Sequence, residues 1–75
     1  MVREERRILL ARAIDRMEQA DREILGMRYV DRLAFEEIAA VLDIGLSAAK
    51  MRHLRALERL RPLLEEMGLE PSTGS

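Results

Sequence analysis

At 75 residues the chain has room for one domain and none for a catalytic cleft with a separate substrate domain. Its 48% hydrophobic and 36% charged residues suit short amphipathic helices, while a single Tyr and a single Phe disfavour a sheet or a base-stacking platform, and zero cysteines exclude a disulfide framework and a thiolate metal site. The net charge of -1 averages over segments of opposite sign: between Leu46 and Arg61 five cations (Lys50, Arg52, Arg55, Arg59, Arg61) face one carboxylate (Glu58), a local +4 that points to a polyanionic partner.

The first predicted helix runs from about Glu4 to Met17, where Ile8, Ala11, Ile14 and Met17 recur at helical spacing. A second is expected from about Glu18 to Tyr29, burying Ile24 and Leu25, with Tyr29 as a further candidate. Gly26 inside it weakens the helix by roughly 1 kcal/mol relative to Ala, which suggests a close packing contact there. After the connection at Asp31 to Ala34, a helix of about two turns is predicted from Phe35 to Leu42, with Ile38, Ala39 and Leu42 on one face. Asp43, Ile44 and Gly45 interrupt it.

From Leu46 a long helix is expected to about Met67, capped at its start by Gly45 and ended by Gly68, with Pro71 preventing resumption. Residues 1–67 are thus read as one domain and 68–75 as a flexible tail ending in "PSTGS". The predicted fold is all-α, three short helices and one long one.

Two helices joined by about three residues pack at a steep angle and need a small residue where they cross. Ala39 meets that need, Ile38, Leu42, Ile44 and Ala49 can fill the wedge, and Asp43 is able to take the positive φ that often follows the first helix. The pattern is a helix-turn-helix. On the long helix Ala49, His53, Ala56 and Leu60 face inward, whereas Ser47, Met51, Arg55 and Glu58 face outward. Ser47, Ala48, Lys50, Met51 and Arg55 are therefore the candidates for base edges in a major groove, and Arg52, Arg59 and Arg61 for phosphates. Lys50 or Arg55 can donate to guanine, Ser47 can pair with several bases, and Met51, Ala48 or Leu54 can touch a thymine methyl.

At these residues the sequence resembles region four of bacterial sigma-70-family factors, particularly the extracytoplasmic-function group. The likeness spans Ala11 to Leu64 and rests on "MEQADREILGMRYVDRLAFEEIAAVLDI" followed by "AAKMRHLRALERLR". It implies a four-helix domain that reads promoter DNA at the -35 element, contacts the β flap of the RNA polymerase core and is covered by an anti-sigma factor. Carried over by position, Ser47, Ala48, Lys50, Met51 and Arg55 match base-facing places, Arg52 and Arg59 match basic support, and Phe35 and Glu36 match places near the DNA backbone. No counterpart of region two is legible, so the resemblance implies that this segment alone does not initiate transcription.

The chain departs from the family pattern with Glu18 for Pro, Arg32 and Asp43 for Gly, Ala34 and Gly45 for capping Ser, Ala48 for Thr and Met51 for Ser. Ala49 replaces a branched residue and His53 an apolar one, which predicts a looser turn or a repacking in which Leu54 or Leu57 compensates.

Other readings carry less. His53 is the only histidine, so a structural role is expected rather than a metal one. Glu36 and Glu37 diverge by about 100° on their helix, unsuited to paired acid and base work. No nucleophile with a base, and no phosphate-cradling glycine loop, is visible; an enzyme, a cofactor and a small-molecule substrate are not expected. Neither an apolar run near 20 residues nor a signal-peptide pattern is present, so a cytoplasmic domain without membrane association is expected. Similar helices and a similar "EIA" occur in the LuxR-type regulator domain, although the extended "RALERLR" helix favours sigma. A protein-interaction module using Leu54, Met51 and the Leu57, Leu63 and Leu64 stripe is the alternative from another class.

Overall fold

The computed structural model describes residues 2–68. Four α-helices follow in order: α1 Val2–Asp15, α2 Gln19–Leu25, α3 Phe35–Leu42 and α4 Leu46–Glu66, with a π turn at Gly26–Val30 after α2. The architecture is all-α with a helix-turn-helix formed by α3 and α4. Apart from Gly68, the proposed 68–75 tail, with Pro71, lies outside the described residues.

The core is small and built largely from short side chains. Ala13, Ile14 and Met17 at the end of α1 meet Ile24 and Leu25 of α2, Ile38 and Ala39 of α3, and Ala49, Ala56 and Leu60 of α4. Alanines at 39, 49 and 56 let the helix backbones approach closely, and Leu42, Ile44 and Leu57 pack against this centre from its edge.

α1 carries Glu4 and Glu5 in its first turn and Arg12 in its last, which complements the helix dipole. Only part of its expected stripe is buried, because Ile8 is 48% exposed. The helix stops at Asp15 rather than Met17. A tight turn closes it, with the Arg16 and Met17 amides donating to the Ala13 and Ile14 carbonyls at 3.1 and 3.0 Å, and Met17 enters the core from that turn.

The second helix is shorter than predicted. After Leu25 the backbone widens, and the Asp31 amide donates to the Gly26 carbonyl five residues back at 2.9 Å. The expected close contact at Gly26 is absent: no neighbouring atom lies within 4 Å of where its Cβ would be. Tyr29 sits on the widened turn, half exposed rather than buried.

Arg32 then takes φ 61, a left-handed conformation that is costly for a long side chain, and Arg28 Nη1 steadies the loop by donating to the Leu33 carbonyl at 3.0 Å. α3 begins with half a capping box. Glu37 Oε1 accepts the Ala34 amide hydrogen at 2.8 Å, while Ala34 has no side-chain oxygen to return the bond.

Asp43 ends α3 in the left-handed region, at φ 59 and ψ 48. Its amide donates to Ala40 O at 3.3 Å and that of Ile44 to Ala39 O at 3.0 Å, the paired bonds of a Schellman ending, with Ile44 and Ala39 in the same apolar cluster. Gly45 precedes α4 in extended conformation, and its carbonyl accepts from Ala49 at 3.0 Å. The turn therefore closes tightly over Ala49, not loosely as its small side chain suggested. α4 continues through Pro62, which removes one helical hydrogen bond on an exposed face, and ends where Gly68 reaches φ 81. No described helix is long and apolar enough to cross a membrane.

Candidate nucleic-acid interface

α4 presents two chemically different faces because its buried residues are spaced as a helix stripe. Ala49, Ala56 and Leu60 are buried, and Ser47, Ala48, Lys50, Met51 and Arg55 are all exposed. These five positions in the first three turns of α4, held by the Asp43 turn, thus offer a hydroxyl, two cations and two small or flexible apolar groups to solvent. Met51 and Leu54 are 46% and 50% exposed, so Leu54 does not compensate inside the core; Leu57 is the one that packs against it.

The five cations differ in what holds them. Among the described residues Lys50, Arg52, Arg55 and Arg61 have no ion-pair partner, whereas Arg59 is engaged by Asp21, its Nε donating to Oδ2 at 2.6 Å and its Nη2 to Oδ1 at 2.8 Å. The pair spans 38 positions and joins α2 to α4. Asp21 is the buried charged residue, at 7% exposure, while the Arg59 side chain remains 59% exposed. The hydrogen bonds from Arg59 hold the Asp21 carboxyl below the usual range despite its burial, and the same bonds raise Arg59. Arg59, expected on phosphates, has a carboxylate as its partner.

A second cluster fixes the middle of α4. His53 is partly buried and lies 2.8 Å from the Tyr29 hydroxyl through Nε2, while the Phe35 ring meets it edge-on with centroids 5.0 Å apart. The Arg28 guanidinium covers Phe35, 4.6 Å from its centroid. Burial lowers the His53 pKa, and the nearby Arg28 charge lowers it further. Tyr29 donates to Nε2 when the imidazole is protonated at Nδ1 and accepts from it in the other tautomer. Burial likewise raises the Tyr29 pKa.

This cluster gives Phe35 a packing role at the base of α3, between Arg28 and His53, rather than an open position. Glu36 beside it is exposed. Sequence reasoning missed Asp21, Arg28 and Tyr29 as members of the site's support. The pattern offered one usable sign: His53 and Tyr29 were polar groups on otherwise apolar faces, each needing a partner.

Residues 13–62 match the family model described as sigma-70, region 4. No curated protein and no solved structure matches the chain.

Proposed function

From the premise that the chain belongs to the sigma-70 region 4 family, a DNA-binding helix-turn-helix family of RNA polymerase sigma factors rather than an enzymatic one, we propose that this domain reads the promoter -35 element during transcription initiation. The first three turns of α4 enter the major groove. Ser47, Ala48, Lys50, Met51 and Arg55 face base edges, with Lys50 and Arg55 as donors to guanine O6 and N7. Arg52 and Arg61 contact phosphates, and the start of α3 at Phe35 and Glu36 lies near the backbone.

The observation that carries this reading is the pairing state of α4: Arg55 on its outward face and Lys50 and Arg52 on its flanks are exposed and have no carboxylate partner among the described residues, while Ala49 and Ala56 are buried. Solvated surface cations usually sit among mixed charges, and here they border exposed Ser47, Ala48 and Met51, small and apolar groups suited to base edges. Selection of bound sequences from a random duplex pool tests the reading. One enriched motif, altered by Lys50→Ala, is expected; recovery of no common motif overturns it.

Polymerase core, through its β flap, is the proposed partner in initiation, in a sigma factor of the extracytoplasmic-function type acting in the cytoplasm. A second reading is favoured by the exposure of Met51 and Leu54 on the same face: an anti-sigma factor covers it. Leu54→Ala then abolishes capture of that partner at about 0.3 M salt, where phosphate contacts are strongly weakened. Retained capture argues against this surface.

A further inference from the structure

Arg52, Arg55 and Arg59 line one groove with Ala20, Asp21 and Ile24 of α2. Their spacing sets the three guanidinium groups along one edge of α4. Arg52 and Arg59 are about 10 Å apart along the axis at 1.5 Å per residue, comparable with the roughly 12 Å width of a major groove. A free Arg59 would lengthen that cationic edge.

Arg59 is not free. Both oxygens of Asp21 are bound to it, and Asp21 is the member that needs the pair, since it is buried and Arg59 is largely exposed. A phosphate that captured Arg59 would leave a buried carboxylate without a cation, a state that proteins avoid because desolvation of a lone charge is unfavourable.

We propose that Asp21 limits the DNA footprint: by holding Arg59 in a two-bond pair it keeps that cation off the phosphates and leaves Arg52 and Arg61 as the phosphate contacts of α4. This inference rests on the DNA-binding reading above. Its consequence is discrimination. Phosphate contacts strengthen binding to every sequence alike, so withholding one makes a larger share of the affinity depend on the base-facing residues.

Binding of the full chain to a short mixed-sequence duplex, followed by fluorescence anisotropy across a salt series, provides the test. Asp21→Asn releases Arg59, and the slope of log affinity against log salt steepens by about 0.9, equivalent to about threefold more affinity lost between about 50 and about 200 mM salt. The double variant Asp21→Asn with Arg59→Gln removes both charges together, leaves no orphaned carboxylate, and keeps the wild-type slope. Glu58→Gln removes a carboxylate that is close to Arg59 without binding it, and also keeps the wild-type slope.

A slope that becomes shallower by about 0.9 in the double variant makes Arg59 a phosphate contact and overturns the proposal. So does an unchanged or shallower slope in folded Asp21→Asn, or an equal steepening in Glu58→Gln, which would reduce the effect to general charge. If Asp21→Asn does not fold, the double variant decides. Absence of any salt-dependent binding by the wild type would remove the DNA-binding reading itself, a result distinct from these.

Discussion

Tyr29 on the π turn and His53 on α4 are joined side chain to side chain at 2.8 Å, which ties α4 to the segment that follows α2. Burial together with the Arg28 charge lowers the His53 pKa below its usual 6.5. The sign of the linkage follows: between the folded and unfolded pKa values the unfolded chain binds the extra proton, so stability rises with pH there. His53 contributes its full stability above 6.5 and loses it as pH falls from 6.5 through the lowered value. The Asp21 carboxyl is held below its ordinary 3.8 and contributes nothing to changes in that window. The Tm is expected to fall between about pH 7 and about pH 5 in the wild type and to stay nearly level in His53→Leu; an equal fall in both excludes His53 as the cause.

Removing the other partner has a different signature. Tyr29→Phe keeps the ring beside His53 but leaves Nε2 without its hydrogen-bond partner, a loss of about 1 kcal/mol, which corresponds to a Tm decrease of about 4–8 °C in a domain of this size. DNA affinity measured well below the Tm is expected to change little. A large affinity loss without a Tm change would make the hydroxyl a DNA ligand instead.

The exposed cations invert that pattern. Lys50→Ala and Arg55→Ala are expected to reduce affinity for the selected duplex by about 1–3 kcal/mol each, near tenfold or more, with circular dichroism and Tm almost unchanged. Arg52→Ala is expected to weaken all sequences alike and to make the salt slope shallower by about 0.9. Uniform weakening by Lys50→Ala and Arg55→Ala as well would reassign them to phosphates.

The parts of this fold that were legible in the sequence are those set by local spacing. The inward stripe of Ala49, Ala56 and Leu60 follows from helical periodicity, and the left-handed Asp43 and Gly68 follow from helix-ending chemistry. The Asp21–Arg59 pair was not legible, because a contact across 38 positions depends on how α2 and α4 dock. The π turn was hidden for another reason: five-residue hydrogen bonding has no apolar period to announce it. Ile8 kept the right spacing and still misled, since periodicity tells which way a residue faces but not whether another helix reaches it. Ala49 and His53 looked like weaknesses only while their neighbours were unknown, and Tyr29 and Phe35 supply the contacts that an apolar residue at 53 would otherwise have made.

Arg32 and Asp43 both occupy left-handed backbone, at φ 61 and φ 59, where the family pattern has glycine. The two substitutions to glycine differ in expected gain. Asp tolerates this region better than most residues, and Asp43 also ends a helix by a Schellman pair, whereas Arg32 has neither advantage. Arg32→Gly is expected to stabilise by about 0.5–1 kcal/mol after the entropy of glycine in the unfolded chain is counted, and Asp43→Gly by less. Chemical denaturation of both variants, read as a midpoint shift at constant slope, checks the order. A larger gain at Asp43 contradicts the account.

Gly26 stands in ordinary helical backbone, φ -63 and ψ -45, at the junction of α2 and the π turn. Nothing crowds its α-carbon, so neither a left-handed conformation nor a close neighbour requires glycine there. What remains is its entropic disadvantage, about 0.5–1 kcal/mol relative to Ala in a helix. Gly26→Ala is therefore expected to raise the Tm by a few degrees without altering DNA affinity. If the π turn instead needs glycine to widen, the methyl group would shift the turn and pull Tyr29 away from His53. The substitution would then lower the Tm and weaken its fall between about pH 7 and about pH 5, because that fall depends on the environment of His53. Measuring the Tm of Gly26→Ala at both pH values separates the two outcomes.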